Sequence, residues 1–295
     1  MGFEANLLPT QTYALLAFLL LAILVGYVAL APRFAHKIYR PKLFKALPME
    51  QDFPAPTVNQ VTAEEILLPG HGRERTFGWY FRLAGSSHTV IFSHGNGGNM
   101  STKLALIEGL LTVGLSVLAY DYSGYGKSTG LPDTDTICDN ALDAYDFLVT
   151  RKGVKPEEII LYGESLGGAV SAELASKRSV CALIIQSAFL SLENIAKEKV
   201  PLLHIYPEWL FPEPSLNTGR ALEKLSLPVL IMHAVDDPVV PYRHGQRLFE
   251  LARDPKRFVS IEVASHSNFH ADEQELFCAA LKSFLSELVR PQKVI

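Results

Sequence analysis

A serine between two glycines is the first residue of this sequence that could do chemistry. The run Gly163-Glu164-Ser165-Leu166-Gly167 follows a short apolar stretch, Ile159–Tyr162, and precedes a helical pattern that begins near Ala169. A sharp strand–turn–helix connection strains the backbone at the serine, and flanking glycines let the strand and the helix approach each other closely. Because a serine hydroxyl is a weak nucleophile unless a base takes its proton, the motif predicts Ser165 as a nucleophile and requires a base and an acid that orients it.

Two aspartates are candidates for the acid. Asp236 and Asp237 lie just past a later apolar run, Val229–His233. Asp237 is preferred because it lies one residue farther beyond the strand end, directly before Pro238. Asp236 is interpreted as a turn or cap residue, which is also the alternative interpretation of Asp237.

The base is sought in the loop after the next strand, which is predicted over Val259–Val263. His266 is preferred to His270 because it lies closer to the strand end, and His270 would then start or cover the last helix. The acid and the histidine thus each lie in the loop after a later strand than the serine, in the chain order serine, aspartate, histidine, at the same sheet edge as Ser165. The sequence predicts a triad of Ser165, Asp237 and His266, whereas a solvated loop residue is the alternative for either histidine.

A glycine-rich loop could stabilise the oxyanion of an acyl-transfer reaction. His94-Gly95-Asn96-Gly97-Gly98-Asn99 follows the predicted strand Thr89–Phe92, and its small residues let the backbone approach a substrate. An oxyanion needs backbone N–H groups aimed at one point. We expect the amides of Asn96 and Leu166 to supply them. The alternative is a plain glycine turn before a helix that Asn99 or Ser101 caps.

The elements that must position these residues alternate between short apolar runs and amphipathic helices. Helical spacing is clear over Thr134–Val149 and over Leu276–Leu288. The eight predicted strands are Ile66–Leu68, Phe77–Phe81, Thr89–Phe92, Ser116–Tyr120, Ile159–Tyr162, Leu183–Ile185, Val229–His233 and Val259–Val263. Such alternation predicts an α/β fold, a mostly parallel sheet with helices on both faces whose function lies at the carboxyl ends of the strands.

The first part of the chain is predicted to cross a membrane. No charged residue occurs from Ala5 to Pro32, and about 20 apolar residues suffice to cross a hydrocarbon core. Basic residues follow this stretch, which by the positive-inside rule predicts a single-pass anchor with the main domain in the cytoplasm. A cleaved signal peptide is the alternative, since Ala29-Leu30-Ala31 has the small residues of a cleavage site. The predicted organisation is an anchor with a basic flank over 1–45, a linker over 46–61 and a catalytic domain over 62–295.

A long insertion rich in leucine, proline and aromatic residues, about 188–218, follows the sixth predicted strand. We interpret it as a small cap that lines an apolar acyl pocket. A helix pair that completes the core, or a second membrane contact beside the anchor, are the alternatives.

Composition excludes several other classes of function. Lys+Arg 27 against Asp+Glu 31 gives a net charge of −4, which argues against nucleic acid as a partner. Three cysteines are too few for a disulfide framework or a four-thiolate zinc site, and neither H-E-x-x-H nor C-x-x-C occurs. Gly126-Lys127-Ser128 imitates the end of a phosphate loop, but position 121 is Asp where that loop needs glycine. We expect neither a metal nor a cofactor.

Together these motifs resemble the α/β-hydrolase family of serine hydrolases. The similarity is greatest to its membrane-anchored branch, which includes acyl-protein thioesterases and monoacylglycerol or lysophospholipid lipases. The resemblance covers roughly residues 62–289 and rests on Gly78-Trp79-Tyr80, Ser93-His94-Gly95-Asn96, Asp121-Tyr122, Gly124-Tyr125-Gly126, Gly163-Glu164-Ser165-Leu166-Gly167, Asp237 and His266. It implies Ser165 as nucleophile, His266 as general base, Asp237 as its orienting acid, and the Asn96 and Leu166 amides as the oxyanion hole.

The sequence therefore predicts a serine hydrolase that cleaves esters or thioesters through an acyl-enzyme. Lipids or acylated proteins are the expected substrates, because the anchor and the apolar cap favour molecules that arrive from the membrane. A serine peptidase of the same fold and a non-catalytic binding protein on this scaffold are the alternatives.

Overall fold

The computed structural model describes residues 10–69, 75–262, 266 and 273–288, and its strands follow the buried apolar runs of the sequence. In chain order they are β1 (Lys45–Ala46), β2 (Thr57–Val58), β3 (Val61–Thr62), β4 (Glu64–Pro69), β5 (Arg75–Phe81), β6 (Thr89–Ser93), β7 (Gly97–Gly98), β8 (Ser116–Tyr120), β9 (Ile159–Glu164), β10 (Ala182–Gln186), β11 (Val229–Ala234) and β12 (Lys256–Ile261).

The helices fall between these strands. They are α1 (Thr10–Ala29), α2 (His36–Leu43), α3 (Leu104–Thr112), α4 (Thr134–Arg151), α5 (Leu166–Lys177), α6 (Leu192–Lys199), α7 (Thr218–Leu222), α8 (Arg243–Leu251) and α9 (Gln274–Leu288). Short 3₁₀ turns occupy Met100–Lys103, Pro156–Glu158, Pro201–Ile205 and Glu208–Leu210.

Eight of the strands form one sheet, in the order β12-β11-β10-β9-β6-β8-β5-β4. β5 is antiparallel to both of its neighbours, and the other adjacent strands run parallel. The predicted mostly parallel, eight-stranded sheet is confirmed. Because β6, β9, β11 and β12 are parallel, the loops that follow them lie at one edge of the sheet.

Both faces of the sheet are covered, so its central strands are buried at every position and mostly apolar. Along β9, Ile159 and Leu161 pack into the core cluster that includes α4, α5, α7 and α8. Ile160 and Tyr162 alternate with them and pack into the cluster that includes α3 and α9. The prediction of helices on both faces is confirmed.

The bounds of β12 and α5 differ most from the sequence-based expectation, each by three residues at its start. β12 begins at Lys256, three residues before the predicted start at Val259, and Val263 lies outside the described residues. As an edge strand with half-exposed residues, β12 tolerates lysine and arginine that interrupt an apolar run. α5 begins at Leu166 rather than near Ala169, because the strand and the helix are separated by a single residue.

The chain between α1 and the main sheet is hydrogen-bonded to the glycine-rich loop after β6. We call residues 43–49 the strap. β1 pairs in parallel with β7, and Lys45 N–H donates to the Asn96 carbonyl over 3.0 Å. Leu47 N–H donates to the Gly98 carbonyl over 3.3 Å, and Asn96 Nδ2 donates to the Leu43 carbonyl over 3.1 Å. The strap therefore fixes the backbone of a loop that the sequence singles out for chemistry.

The segment predicted as a cap contains α6 and two of the 3₁₀ turns. Its two ends belong to the main core, through Phe189, Leu192 and Leu216. Its middle forms a separate buried cluster with the end of α1 and the residues that follow it: Tyr27, Ala31, Tyr39, Leu203, Tyr206, Leu210 and Phe211. The position of this segment over an acyl pocket stays a prediction.

Candidate active site

Ser165 is the only residue between β9 and α5, and its backbone is strained. Its φ of 55° and ψ of −114° lie in a region that residues with a side chain rarely adopt. The flanking glycines allow this turn, since a Cβ at Gly163 would lie 2.2 Å from the Gly167 carbonyl oxygen. A Cβ at Gly167 would lie 1.9 Å from the Ser93 carbonyl oxygen. The turn thus presents Ser165, which is 7% exposed, above the carboxyl end of the central strand.

Asp237 and His266 are in direct contact. His266 Nδ1 lies 2.6 Å from Asp237 Oδ2, and the other carboxylate oxygen accepts hydrogen bonds of 2.8 Å from the amides of Val239 and Val240. The Asp237 side chain is fully buried, whereas Asp236 is exposed. Three hydrogen bonds therefore fix the orientation of Asp237. His270, the alternative candidate for the base, lies outside the described residues.

The environment of Asp237 favours its ionised form. Burial raises the pKa of Asp237, but the hydrogen bonds from His266, Val240 and Val239 and the charge of His266 more than compensate, so that this pKa lies below its usual value. A carboxylate that stays ionised accepts the Nδ1–H of His266 and leaves the Nε2 of that ring as the proton acceptor. This is the tautomer that a general base requires.

Ser165 follows β9, Asp237 follows β11 and His266 follows β12, all at the same sheet edge. Among the described residues no hydrogen bond joins the Ser165 hydroxyl to the His266 ring. Catalytic hydrogen bonds are often long in a protein without substrate and shorten when substrate binds. The structure thus gives an acid–base pair in contact and a serine at the end of β9, which β10 separates from β11 in the sheet.

Of the two amides predicted for an oxyanion hole, that of Leu166 directly follows Ser165, and the position of the Asn96 amide relative to the serine stays a prediction. Leu166 is the first residue of α5, so its N–H has no acceptor within the helix. The Asn96 carbonyl accepts hydrogen bonds from Lys45 N–H and from the Tyr125 hydroxyl, at 3.0 and 2.8 Å, which fixes the peptide groups around it. The loop also passes close to the serine, because a Cβ at Gly95 would lie 3.6 Å from Ser165 Cβ.

A buried ion pair beneath this loop is absent from the sequence-based prediction. Lys103 Nζ donates to Glu164 Oε1 over 2.7 Å, and the two side chains are only 10% and 2% exposed. Glu164 directly precedes Ser165, and a Cβ at Gly95 would lie 3.2 Å from its Oε1. The pair therefore supports both the turn and the glycine-rich loop. A glutamate inside the motif is the one signal in the sequence, and nothing there points to Lys103.

His233 supports the loop that carries Asp237 and also escapes the sequence-based prediction. Its Nε2 lies 2.9 Å from the Val240 carbonyl oxygen and 3.5 Å from Asp237 Oδ2. Burial lowers the pKa of His233, more than the carbonyl of Val240 and the charge of Asp237 raise it. A neutral His233 whose Nε2–H donates to Val240 holds the backbone that in turn donates to Asp237.

The chain is similar to several known proteins. Residues 85–221 match the family model described as "Serine aminopeptidase, S33". The chain is 31% identical to the uncharacterised protein Rv2307c of Mycobacterium tuberculosis, over 79% of this chain and 84% of that protein. It is also 31% identical to the alpha/beta hydrolase domain-containing protein 17C of Mus musculus, over 77% of this chain and 69% of that protein.

Solved structures share the fold. An esterase of Pyrococcus furiosus, Pf2001, superposes with a TM-score of 0.69 at 19% identity, over 84% of this chain and 99% of that one. An alpha-beta serine hydrolase homologue from Coxiella burnetii superposes with a TM-score of 0.59 at 24% identity, over 77% and 98% of the two chains. The sheet order, the strained serine turn and these relatives together show that the chain belongs to the alpha/beta-hydrolase family.

Proposed function

We propose that this alpha/beta hydrolase cleaves carboxylic esters or thioesters through an acyl-enzyme formed on Ser165. The observation that carries the proposal is the 2.6 Å contact between His266 Nδ1 and the buried Asp237, at the sheet edge where Ser165 lies on its strained turn. A non-catalytic binding protein would have no need for an oriented imidazole at that place.

In the proposed reaction His266 Nε2 takes the proton of the Ser165 hydroxyl as its oxygen attacks the substrate carbonyl. The amides of Asn96 and Leu166 donate to the oxyanion that develops, a contribution of about 3 kcal/mol per donor in other enzymes. His266 then gives its proton to the departing alcohol or thiol. Water, deprotonated by the same ring, attacks the acyl-enzyme and releases the acid and the free serine.

The proposed substrates are lipids or acylated proteins at a membrane. α1 has 20 residues and none of them is buried in the protein, so its apolar side chains need another apolar environment. At 1.5 Å per residue it is about 30 Å long, the thickness of a hydrocarbon core. Its contacts with the folded domain support retention of the helix rather than cleavage, since the Tyr27 hydroxyl donates to the Ile205 carbonyl over 2.8 Å. We propose that α1 is a single-pass anchor and that the domain faces the cytoplasm, because basic residues follow α1 and positively charged flanks favour the cytoplasmic side.

A serine peptidase is the second candidate, because the matching family model is described as a serine aminopeptidase. Peptide and ester hydrolysis share the acyl-enzyme, so the two activities differ in the substrate that the pocket binds. Peptidyl and aminoacyl nitroanilides therefore belong in the same assay as esters.

The test uses the full-length protein in detergent with nitrophenyl esters and acyl thioesters of increasing chain length, and aminoacyl nitroanilides. We expect ester or thioester hydrolysis that rises with chain length and is lost in Ser165→Ala. Ser171→Ala is the matched control, because Ser171 lies in α5, the helix that follows Ser165, is buried and has no hydrogen-bond partner among the described residues.

A fluorophosphonate, which phosphonylates an activated serine with loss of fluoride, gives a readout that does not depend on the substrate. Labelling of the wild type and of Ser171→Ala, but not of Ser165→Ala, would support the assignment. Hydrolysis of nitroanilides in preference to esters would favour the peptidase. Equal labelling of all three proteins, or of none, would refute the proposed nucleophile.

A further inference from the structure

The middle of the predicted cap exposes apolar side chains beside the end of α1. We call the residues Pro201–Phe211 the cap tip. Leu203, Tyr206, Leu210 and Phe211 are buried within it, whereas Leu202 is 71% exposed, Ile205 54% and Trp209 64%. Single exposed apolar residues are ordinary on a protein surface, but a group of them around a tryptophan marks an interaction site.

Direct contacts fix the cap tip to the last turn of α1 and to the residues that follow it. The rings of Tyr27 and Tyr206 stack with their centroids 4.8 Å apart, and the Tyr27 hydroxyl donates to the Ile205 carbonyl over 2.8 Å. The backbone N–H of Arg33 donates to the Leu210 carbonyl over 2.8 Å, and its Nη1 donates to the Trp209 carbonyl over 3.2 Å. The backbone carbonyls of Ile205 and Trp209 therefore lie at the same level along the helix axis as Tyr27 and Arg33.

That level corresponds to the membrane–water interface. If α1 spans a hydrocarbon core, Tyr27 in its last turn lies at the boundary of the core, and Arg33, which follows the end of the helix, lies among the lipid headgroups. Tryptophan and tyrosine are enriched at that depth, and arginine directs its charge out of the core. Further exposed apolar residues follow α1 on the chain, namely Leu30, Phe34 and Ile38, at 52%, 52% and 48%.

We propose that the cap tip is a membrane-docking surface, with Leu202, Ile205 and Trp209 inserted among the headgroups and upper acyl chains of the lipid bilayer that α1 spans. This inference rests on the proposed anchoring by α1. It deepens the proposed function, because the cap of the hydrolase would then touch the layer in which lipid or acylated substrates lie. Continuity with α1 selects lipid as the occupant, since the contacts of Tyr27 and Arg33 hold this surface against the bilayer.

The sequence contains two tryptophans, which allows a direct test. Trp79 is fully buried in the core and Trp209 is mostly exposed, so only the second can meet lipid. The full chain is reconstituted into phosphatidylcholine vesicles with either ordinary lipids or lipids brominated near the carbonyl end of the acyl chain. Bromine quenches tryptophan fluorescence at short range only. Trp209→Phe supplies the emission of Trp79 alone and serves as the control.

We expect brominated lipid to remove most of the Trp209 emission, obtained as the difference between wild type and Trp209→Phe, and aqueous iodide to quench it little. Strong quenching by iodide with none by brominated lipid would overturn the proposal, because the cap tip would then face water. Quenching by neither would also overturn it, since a second copy of the chain or another protein surface would then cover Trp209.

Extraction of the same vesicles with alkaline carbonate separates this proposal from the anchoring on which it rests. A chain that stays in the vesicles but shows no quenching by lipid would refute the docking surface and leave the anchor in place. A chain released by carbonate would refute both. Neither result bears on the Ser165 chemistry, which the ester assay in detergent tests separately.

Discussion

Replacement of Lys103 by methionine should destabilise the fold through the buried carboxylate that it leaves behind. Lys103 Nζ and Glu164 Oε1 are 2.7 Å apart, which corresponds to about 6 kcal/mol of attraction at an effective dielectric constant of about 20. Desolvation of both groups consumes much of that attraction, and removal of one partner from a buried pair costs about 3–5 kcal/mol. With Glu164 2% exposed, its carboxylate has little access to water as a substitute partner.

The companion variants make this prediction specific. Glu164→Gln should cost less, because the longer lysine side chain can turn its ammonium toward water, as Lys and Arg side chains commonly do. Lys103→Met combined with Glu164→Met should recover most of the loss, since buried pairs are often replaced by apolar residues without cost. The single variants and the double variant form a mutant cycle in which the coupling itself is measured.

The assay is thermal unfolding of the detergent-solubilised protein, in which the fraction that a fluorophosphonate still labels is measured at each temperature. For a domain of this size each kcal/mol moves the midpoint by about 2–4 °C, so Lys103→Met should unfold roughly 10 °C below the wild type. A Lys103→Met midpoint indistinguishable from the wild type would refute the reasoning. A double variant as unstable as Lys103→Met would do so equally, because the loss would then come from packing rather than from an unpaired charge.

Four further predictions concern the site and its supports. Asp237→Asn should slow ester hydrolysis by about 10⁴-fold with little change in KM, because an amide does not select the His266 tautomer; steady-state kinetics check this, and unchanged kcat would exclude Asp237 as the acid. The low pKa of Asp237 means that its ionised contacts stabilise the fold above pH ~4 and are lost as the pH falls further; unfolding midpoints of the wild type and Asp237→Asn, compared from neutral to acid pH, should converge at the acid end. Gly167→Ala should yield little folded protein, because its Cβ would lie 1.9 Å from the Ser93 carbonyl oxygen; a normal midpoint would contradict it. Asn99→Ala should slow fluorophosphonate labelling while leaving the protein folded. Asn99 Nδ2 donates to the carbonyls of Leu47 and Pro48 and so holds the strap to the glycine-rich loop.

Much of the fold could be predicted from the sequence, because a sheet covered on both faces needs apolar residues at most positions. The runs that form β8 and β11 show this, and their predicted bounds are within one residue of those in the structure. The candidate triad could be found for a related reason. Each of Ser165, Asp237 and His266 lies in the connection that follows a parallel strand, and parallel strands bring such connections to one edge of the sheet.

The remaining features depend on contacts between residues far apart in the chain, which leave no local pattern. Lys103 and Glu164 are separated by 61 positions, and although Glu164 lies inside the serine motif, nothing in the sequence points to Lys103 as its partner. The strap contains only two residues of strand, Lys45–Ala46, which are too few for an alternating pattern. β12 begins three residues before its predicted start, because an edge strand tolerates charged side chains, and these interrupt the apolar run from which the start is predicted.

The chain segment that follows α1 contacts the folded domain at three successive points, through two hydrogen bonds and one ion pair. Arg33 donates to the Leu210 carbonyl, Arg40 pairs with Asp133, and Lys45 donates to the Asn96 carbonyl. If α1 anchors the protein as proposed, these contacts make a rigid connection instead of a flexible linker. They then hold the hydrolase domain at one height and one tilt above the lipid. Such an enzyme samples substrates by lateral diffusion in two dimensions, so its rate should follow the surface density of the substrate rather than the bulk concentration.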